Sequence, residues 1–258
     1  MPRFSANISM LFCERPFLRR FVAAGRAGFD AVEIQFPYAE DVTSLTTAKD
    51  DSGLDIAVFN LPVGDMLSGG PGLAAMPGRE AEFAAAIDQA LPYAEALSPR
   101  NVNVLAGWPP AELDRQRCFE TLVENLRHAA ATFEPLAVRV LTEAVNSRDR
   151  PGYFLTTSAQ AVATVEAAGH ENLAIEHDLY HMQIMEGDLI AGLGRLLPRI
   201  GHIQFADNPG RHQPGTGEIN FPAVFAAIDD GGYKGFVGAE YDPLGTSEDS
   251  LGWLEPYR

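Results

Sequence analysis

The chain has 258 residues, with 19 Lys and Arg against 35 Asp and Glu for a formal charge of −16, and it is 46% hydrophobic with 24 Gly and 18 Pro spread along its length. This composition describes a globular protein with a sizeable core and excludes disordered, fibrous and disulfide-framed classes; Cys13 and Cys118 stand in unrelated contexts and are read as packing residues. Lys and Arg nowhere cluster into a basic face, no run reaches the length of a membrane span, and "MPRFSANISMLF" lacks the features of a secretory leader, so neither nucleic acid nor membrane is expected as a partner and the expected compartment is the cytoplasm.

In chain order, short apolar or β-branched runs alternate with helical segments. "RFSANISMLF" (3–12) predicts the first strand, followed by a helix opened by Pro16 and stopped at Gly28. "AVEIQF" from Ala31, "IAVFNLP" from Ile56 and "NVNVLAG" from Asn101 predict the next three strands. A Gly/Pro-rich stretch (62–78) and a long helix from Arg79 to about Leu97 separate the last two. "RVLTEAV" from Arg139, "LAIEHDL" from Leu173, "IGHIQFAD" from Ile200 and "GFVGAEY" from Gly235 complete a count of eight. Eight strand–helix units in one chain of this length predict a single-domain (β/α)8 TIM barrel spanning 1–258, with an open doubly wound sheet as the alternative. Neither G-x-G-x-x-G nor a P-loop is present, which removes dinucleotide and nucleotide readings.

Chemistry in such a barrel lies where strands end and βα loops begin. The fifth to eighth strands carry Glu143, Asp178, Gln204 and Glu240, each late in an apolar run. Any one of them alone reads as an ordinary strand-end polar group; four on consecutive strands read as a set. If they converge, three like charges need a cation or raised proton affinities, and an all-oxygen donor set suits Mg²⁺, with Mn²⁺ second, ahead of Zn²⁺. His181, three residues past Asp178, and Arg211, in the loop after the seventh strand, are candidates for holding substrate oxygens and an anionic group. Glu33 and Glu176 read as supporting or outward-facing groups, and His128, His170, His177, His202 and His212 as structural.

The stretches "FSANISMLF", "AGFDAVEIQFPY", "MPGREAEF", "EAVNSRDRPGYFL", "DLYHMQIMEGDL", "HIQFADNPGRHQPGTGEINFP" and "GAEYDPLGTSEDSLGW" resemble the hydroxypyruvate isomerase family of xylose-isomerase-like TIM barrels, from Ser5 to Trp253. The resemblance implies metal binding by Glu143, Asp178, Gln204 and Glu240, with Glu143 and Glu240 also moving the proton. It further implies substrate contacts from His181 and Arg211, a small 2-oxo acid as substrate, and metal-assisted interconversion of hydroxypyruvate and tartronate semialdehyde through an enediolate. Sugar-handling relatives commonly carry His where this chain has Gln204, and "IEHD" is a more polar lead-in to Asp178 than the family pattern. A 2-oxo-tetronate isomerase or a ketose 3-epimerase is the alternative on the same site. An abasic-site endonuclease would need clustered zinc-binding histidines and a basic face, and a non-catalytic sugar-acid binder would be expected to lack one of the two glutamates. Assembly as a homo-oligomer is compatible with the chain.

Overall fold

Parallel neighbours require a crossover long enough to hold a helix, and the alternation of apolar runs with helical segments supplies one between each pair. The computed structural model describes residues 1–258. Its strands are β1 (Arg3–Asn7), β2 (Ala31–Ile34), β3 (Asp55–Asn60), β4 (Asn101–Val104), β5 (Arg139–Glu143), β6 (Leu173–Asp178), β7 (Ile200–Phe205) and β8 (Phe236–Ala239). They pair in sequence order, and β8 returns in parallel to β1, so the sheet is a closed barrel and the doubly wound alternative is excluded.

Each expected strand begins within one residue of the observed one, but every observed strand ends sooner than the run that predicted it. The first run was expected to reach residue 12, whereas β1 stops at Asn7 and the chain turns, with Ile8, Leu11 and Phe12 still fully buried. Apolar character reports burial rather than strand pairing, and in this barrel the loops leaving the strands are themselves packed.

The helices α1 (Arg20–Arg26), α2 (Val42–Ser52), α3 (Glu80–Leu97), α4 (Arg115–Phe133), α5 (Ser158–Ala168), α6 (Leu179–Met185), α7 (Leu189–Leu196) and α8 (Phe221–Asp230) form the outer layer. Pro16 precedes a 3-10 turn, Phe17–Arg19, that leads into α1, and Gly28 lies beyond its end at φ 92°. Side-chain oxygens of Asp41, Asp114 and Asn220 cap α2, α4 and α8, and Thr157 forms a capping box with Gln160 at α5. No helix is long and apolar enough to cross a membrane.

Successive strand residues face opposite sides, so Val140, Ile175, Ile203 and Val237 turn out toward the helices. Inside the barrel, Val58, Leu141 and Ala174 make a separate small apolar cluster. The same inward alternation carries Arg139, Leu141 and Glu143 on β5, His202 and Gln204 on β7, and Phe236 and Gly238 on β8, leading to Glu240 just beyond. A C-terminal 3-10 segment, Glu248–Tyr257, lays Trp253 and Tyr257 against Phe4 at ring-centroid distances of 5.1 and 5.5 Å and so seals the β8–β1 side from outside. One expectation fails here: Cys118 is buried in α4, but Cys13 is exposed, donating to the Ser9 and Met10 carbonyls and accepting from Arg20 Nη1.

Candidate active site

The C-terminal mouth of the barrel gathers buried charge. Glu143 ends β5, Asp178 ends β6 and Glu240 follows β8, and all three are buried. Glu143, Asp178 and His181 each present one ligand atom within 4.8 Å of the others, so a buried Glu/Asp/His group that can hold a metal ion stands at this mouth. Glu240 lies outside that tight group and is tied in through Arg211, whose Nη2 is 2.5 Å from Glu240 Oε2 and 3.9 Å from Asp178 Oδ2. Gln204 stands beside Asp178 in the β6–β7 register, and its amide nitrogen donates to Glu33 Oε2 at 2.8 Å.

Burial raises the proton affinity of every one of these carboxyls. Glu143 lies well above the usual carboxylate range through desolvation and the charges of Asp178 and Glu240. Asp178 and Glu240 are also raised by burial, with the Arg211 guanidinium pulling against it. Glu176, inside the barrel beneath Asp178, is raised well above its ordinary value by burial and then by Glu143. Two local features fit a divalent cation. Asp178 Oδ1 accepts from the Tyr180 amide at 2.8 Å as the cap of α6, but the buried Oδ2 has no hydrogen-bond partner. A cavity of about 20 Å³, with room for one water-sized species, is bordered by Glu33, Glu143, Glu176, Gln204 and Glu240, with Asp178 outside its lining.

His181 lies in the first turn of α6 and is buried. Its ring is assigned by its neighbour. Asn146 Oδ1 accepts from the Asp149 amide at 2.8 Å and Asn146 Nδ2 donates to Asp149 Oδ2 at 3.0 Å, so Nδ2 also faces His181 Nδ1, 2.7 Å away. Nδ1 is therefore the acceptor and the neutral ring carries its proton on Nε2, which points at Asp178 Oδ2 (3.5 Å) and Glu143 Oε1 (3.8 Å). Desolvation and the nearby Arg211 charge push the His181 pKa down to about 3, so the ring is a neutral N–H donor near pH 7.

Arg211 is held over the mouth by the loop after β7. Its backbone takes φ 58°, and its amide and carbonyl are fixed by the Asp207 carbonyl and the Asp242 amide. Asp207 organises the whole loop: its Oδ2 accepts from the amides of Gly215, Thr216 and Gly217, and its Oδ1 from those of Asn208 and Ile219. The guanidinium lies 5.3 Å from the Tyr180 ring, and its buried Nε has no partner. Burial opposes its charge, but Glu240, Asp178 and Glu143 outweigh that and raise its pKa.

The six expected residues thus lie at one mouth, with Glu143, Asp178 and His181 the tightest group rather than the three carboxylates alone. Glu33 and Glu176, for which an outward-facing position was open, are both buried inside the barrel. Asn7 and Gln35 each donate to Glu240 Oε1 at 3.0 Å, and with Asn146 and Asp207 they were not anticipated. Asn146 lies in one of the family-like stretches, which is the one signal that marked it.

Residues 21–257 match the family of xylose isomerase-like TIM barrels. The chain belongs to that family. Within it, the chain is similar over its full length to a 2-oxo-tetronate isomerase of Cupriavidus necator (46% identity, 100% of this chain and 99% of the relative). It is likewise similar to the hydroxypyruvate isomerase of Escherichia coli (44% identity, 100% of both chains). Among solved structures, that of an AP endonuclease of family 2 from Brucella melitensis superposes with a TM-score of 0.97 at 43% identity over 100% of both chains.

Proposed function

We propose that this family member is an isomerase of short 2-oxo acids that interconverts hydroxypyruvate and tartronate semialdehyde. The observation that carries the reading is the pairing of two buried glutamates of raised proton affinity, Glu143 and Glu240, with an arginine and a neutral imidazole N–H at one barrel mouth. Relatives named for this reaction, at 44% identity over the whole chain, support it. The C4 reading, a 2-oxo-tetronate isomerase, is favoured by the 46% relative and uses the same chemistry on a longer acid. An acidic mouth on a chain of charge −16 repels a DNA backbone, which argues against nuclease activity.

Isomerisation moves the carbonyl of hydroxypyruvate from C2 to C3. A base removes a C3 proton, an enediolate forms, and an acid returns a proton to C2. Glu143 and Glu240 serve as base and acid through a carboxylate oxygen left free toward the substrate: burial strengthens each as a base and a bound cation would weaken it. Arg211 receives the substrate carboxylate through its unpartnered Nε and its guanidinium edge. His181 donates its Nε2 proton to a substrate oxygen, with Asn146 holding Nδ1 as the acceptor. Glu143, Asp178, Gln204 and Glu240 would hold a divalent ion, Mg²⁺ ahead of Mn²⁺, which supplies charge stabilisation for the developing oxyanion. The Asn7 and Gln35 amides orient Glu240 by occupying Oε1. A cytoplasmic location belongs to the same reading.

The test is purified protein with Mg²⁺ and hydroxypyruvate, followed by coupled reduction of tartronate semialdehyde, with 2-oxo-tetronate in parallel. Turnover of either acid supports the isomerase reading and their ratio ranks the two substrates; turnover of neither removes it.

A further inference from the structure

Glu33 is fully buried and draws hydrogen bonds from two other strands, β1 and β7. Its Oε1 accepts from Ser5 Oγ at 2.7 Å on β1 and pairs with His202 Nε2 at 2.7 Å on β7. Its Oε2 accepts from Gln204 Nε2 at 2.8 Å, also on β7, and from Asn7 Nδ2 at 3.4 Å on β1. The side chain thus reaches from β2 across the barrel interior, past β1 and β8, to β7.

Two features of the backbone admit that reach. The β2–β3 register shifts between Val32 and Glu33, the kind of irregularity that re-aims a side chain. On β8, Gly238 leaves the space open, because a Cβ there would sit 1.7 Å from Glu33 Oε1.

A primary amide can face a neighbour with either its oxygen or its nitrogen. Both Glu33 oxygens are turned to donors, Oε1 to the Ser5 hydroxyl and Oε2 to the Asn7 and Gln204 amide nitrogens, so next to Glu33 the amide of Gln204 has one orientation, nitrogen toward Glu33 and oxygen away from it. We propose that Glu33 is a positioning residue that fixes the Gln204 amide so that its carbonyl oxygen, and not its nitrogen, is offered to the metal. This rests on the reading of Gln204 as a ligand. It assigns a reason for an amide at that place: without the carboxylate behind it, half of the amide orientations would turn N–H groups toward a cation. The network continues through Asn7, whose Nδ2 also reaches Glu240 Oε1 at 3.0 Å, so the same carboxylate is coupled to the orientation of a second group at the mouth.

Mn²⁺ affinity, measured on metal-stripped protein by equilibrium dialysis with electron paramagnetic detection of the free ion, tests this without reference to turnover. Glu33→Gln should weaken binding by about tenfold or more, the usual scale for a partner that orients a ligand. Glu33→Asp keeps the carboxyl group but is one methylene too short to reach Gln204, and should weaken binding similarly. Gln204→Ala sets the floor, and Glu33→Gln added to it should cost no further affinity beyond about twofold, because the two act as one unit. Retained affinity in Glu33→Asp would show that the hydrogen bond to Gln204 is not what matters, and a full additional loss in the double variant would show a general structural role; either overturns the proposal. If Gln204→Ala itself binds Mn²⁺ like the parent, the ligand reading falls first and takes this inference with it. Should the Glu33 variants not fold, the ¹⁵N side-chain amide signal of Gln204 in the parent protein decides. Slow proton exchange before and after Mg²⁺ addition is expected, and a fast-exchanging amide contradicts the hydrogen bond to Glu33.

Discussion

The two mouths of the barrel differ in the opposite sense from their size. At the N-terminal mouth a cavity of about 840 Å³ opens among the strand starts, bordered by Asp55, Arg100, Arg139, Lys234 and Phe236. Its charges are exposed and conventionally placed: Arg100 pairs with Asp55 at 2.9 Å, and its guanidinium lies over the Phe236 ring. At the C-terminal mouth the cavity among the carboxylates is only about 20 Å³, yet Glu143, Glu176, Asp178 and Glu240 are buried there with raised proton affinities and an unpartnered Asp178 oxygen. Volume is a property of packing at the ends of helices and loops. Chemistry needs charges held where folding alone would not put them, and by that criterion the smaller space is the active one.

The sharpest separation of the two mouths comes from the glutamates. Glu143→Gln and Glu240→Gln should each lower kcat by about a thousandfold or more, since each removes a group that carries the proton. Steady-state rates within tenfold of the parent for both would return the argument to the larger cavity.

Metal depletion comes next. In the metal-free protein the folded-state pKa values of Glu143, Glu176, Asp178 and Glu240 are raised above their ordinary 4.5 or 3.8. Groups shifted that way contribute stability below the unfolded pKa and lose it as pH rises through the folded one. The metal-free protein should therefore lose stability from about pH 4 upward, and the gain in Tm on adding Mg²⁺ or Mn²⁺ should be larger near pH 8 than near pH 5. Calorimetry at the two pH values checks this; a gain that is equal or reversed argues against a cation among these carboxylates.

Asp207→Asn should act through the loop it organises. It leaves a weaker acceptor for five backbone amides and should raise KM for the anionic substrate about tenfold, with kcat less affected, as Arg211 loses its fixed backbone. Asn146→Ala should lower kcat by several-fold to about tenfold by freeing the His181 tautomer, an effect visible in ¹⁵N imidazole shifts even where rates change little. At the other mouth, Lys234→Ala should change kcat/KM by less than about twofold and stability by no more than about 0.5 kcal/mol, as for an ordinary surface position.

Much of this contrast was legible in the sequence, and the remainder was hidden for identifiable reasons. The strand starts and the count of eight followed from the alternation of apolar runs with helical segments, which left an open sheet as the alternative until β8 was seen to pair with β1, and the positions of Glu143, Asp178, Gln204 and Glu240 followed from asking which runs end in polar groups. Glu33 resisted because β2 is buried on both faces: in "AVEI" every residue is inside, so the alternation that tells inward from outward is absent. Asp207 resisted because its role depends on how a long Gly/Pro-rich loop folds back on one carboxylate. Asn146 required knowing that α6 brings His181 within reach of the loop after β5. The cations of the N-terminal cavity come from Arg100, Arg139 and Lys234, far apart in the chain and joined only when the barrel closes.

Hydrogen exchange at the substrate carbon tests the central claim most directly. With hydroxypyruvate, Mg²⁺ and the protein in D₂O, proton NMR should show deuterium entering at C3 and the aldehyde product appearing, with both events lost in Glu143→Gln and Glu240→Gln. Exchange at the parent rate in both variants, or none on hydroxypyruvate or 2-oxo-tetronate with the unaltered protein, would contradict it.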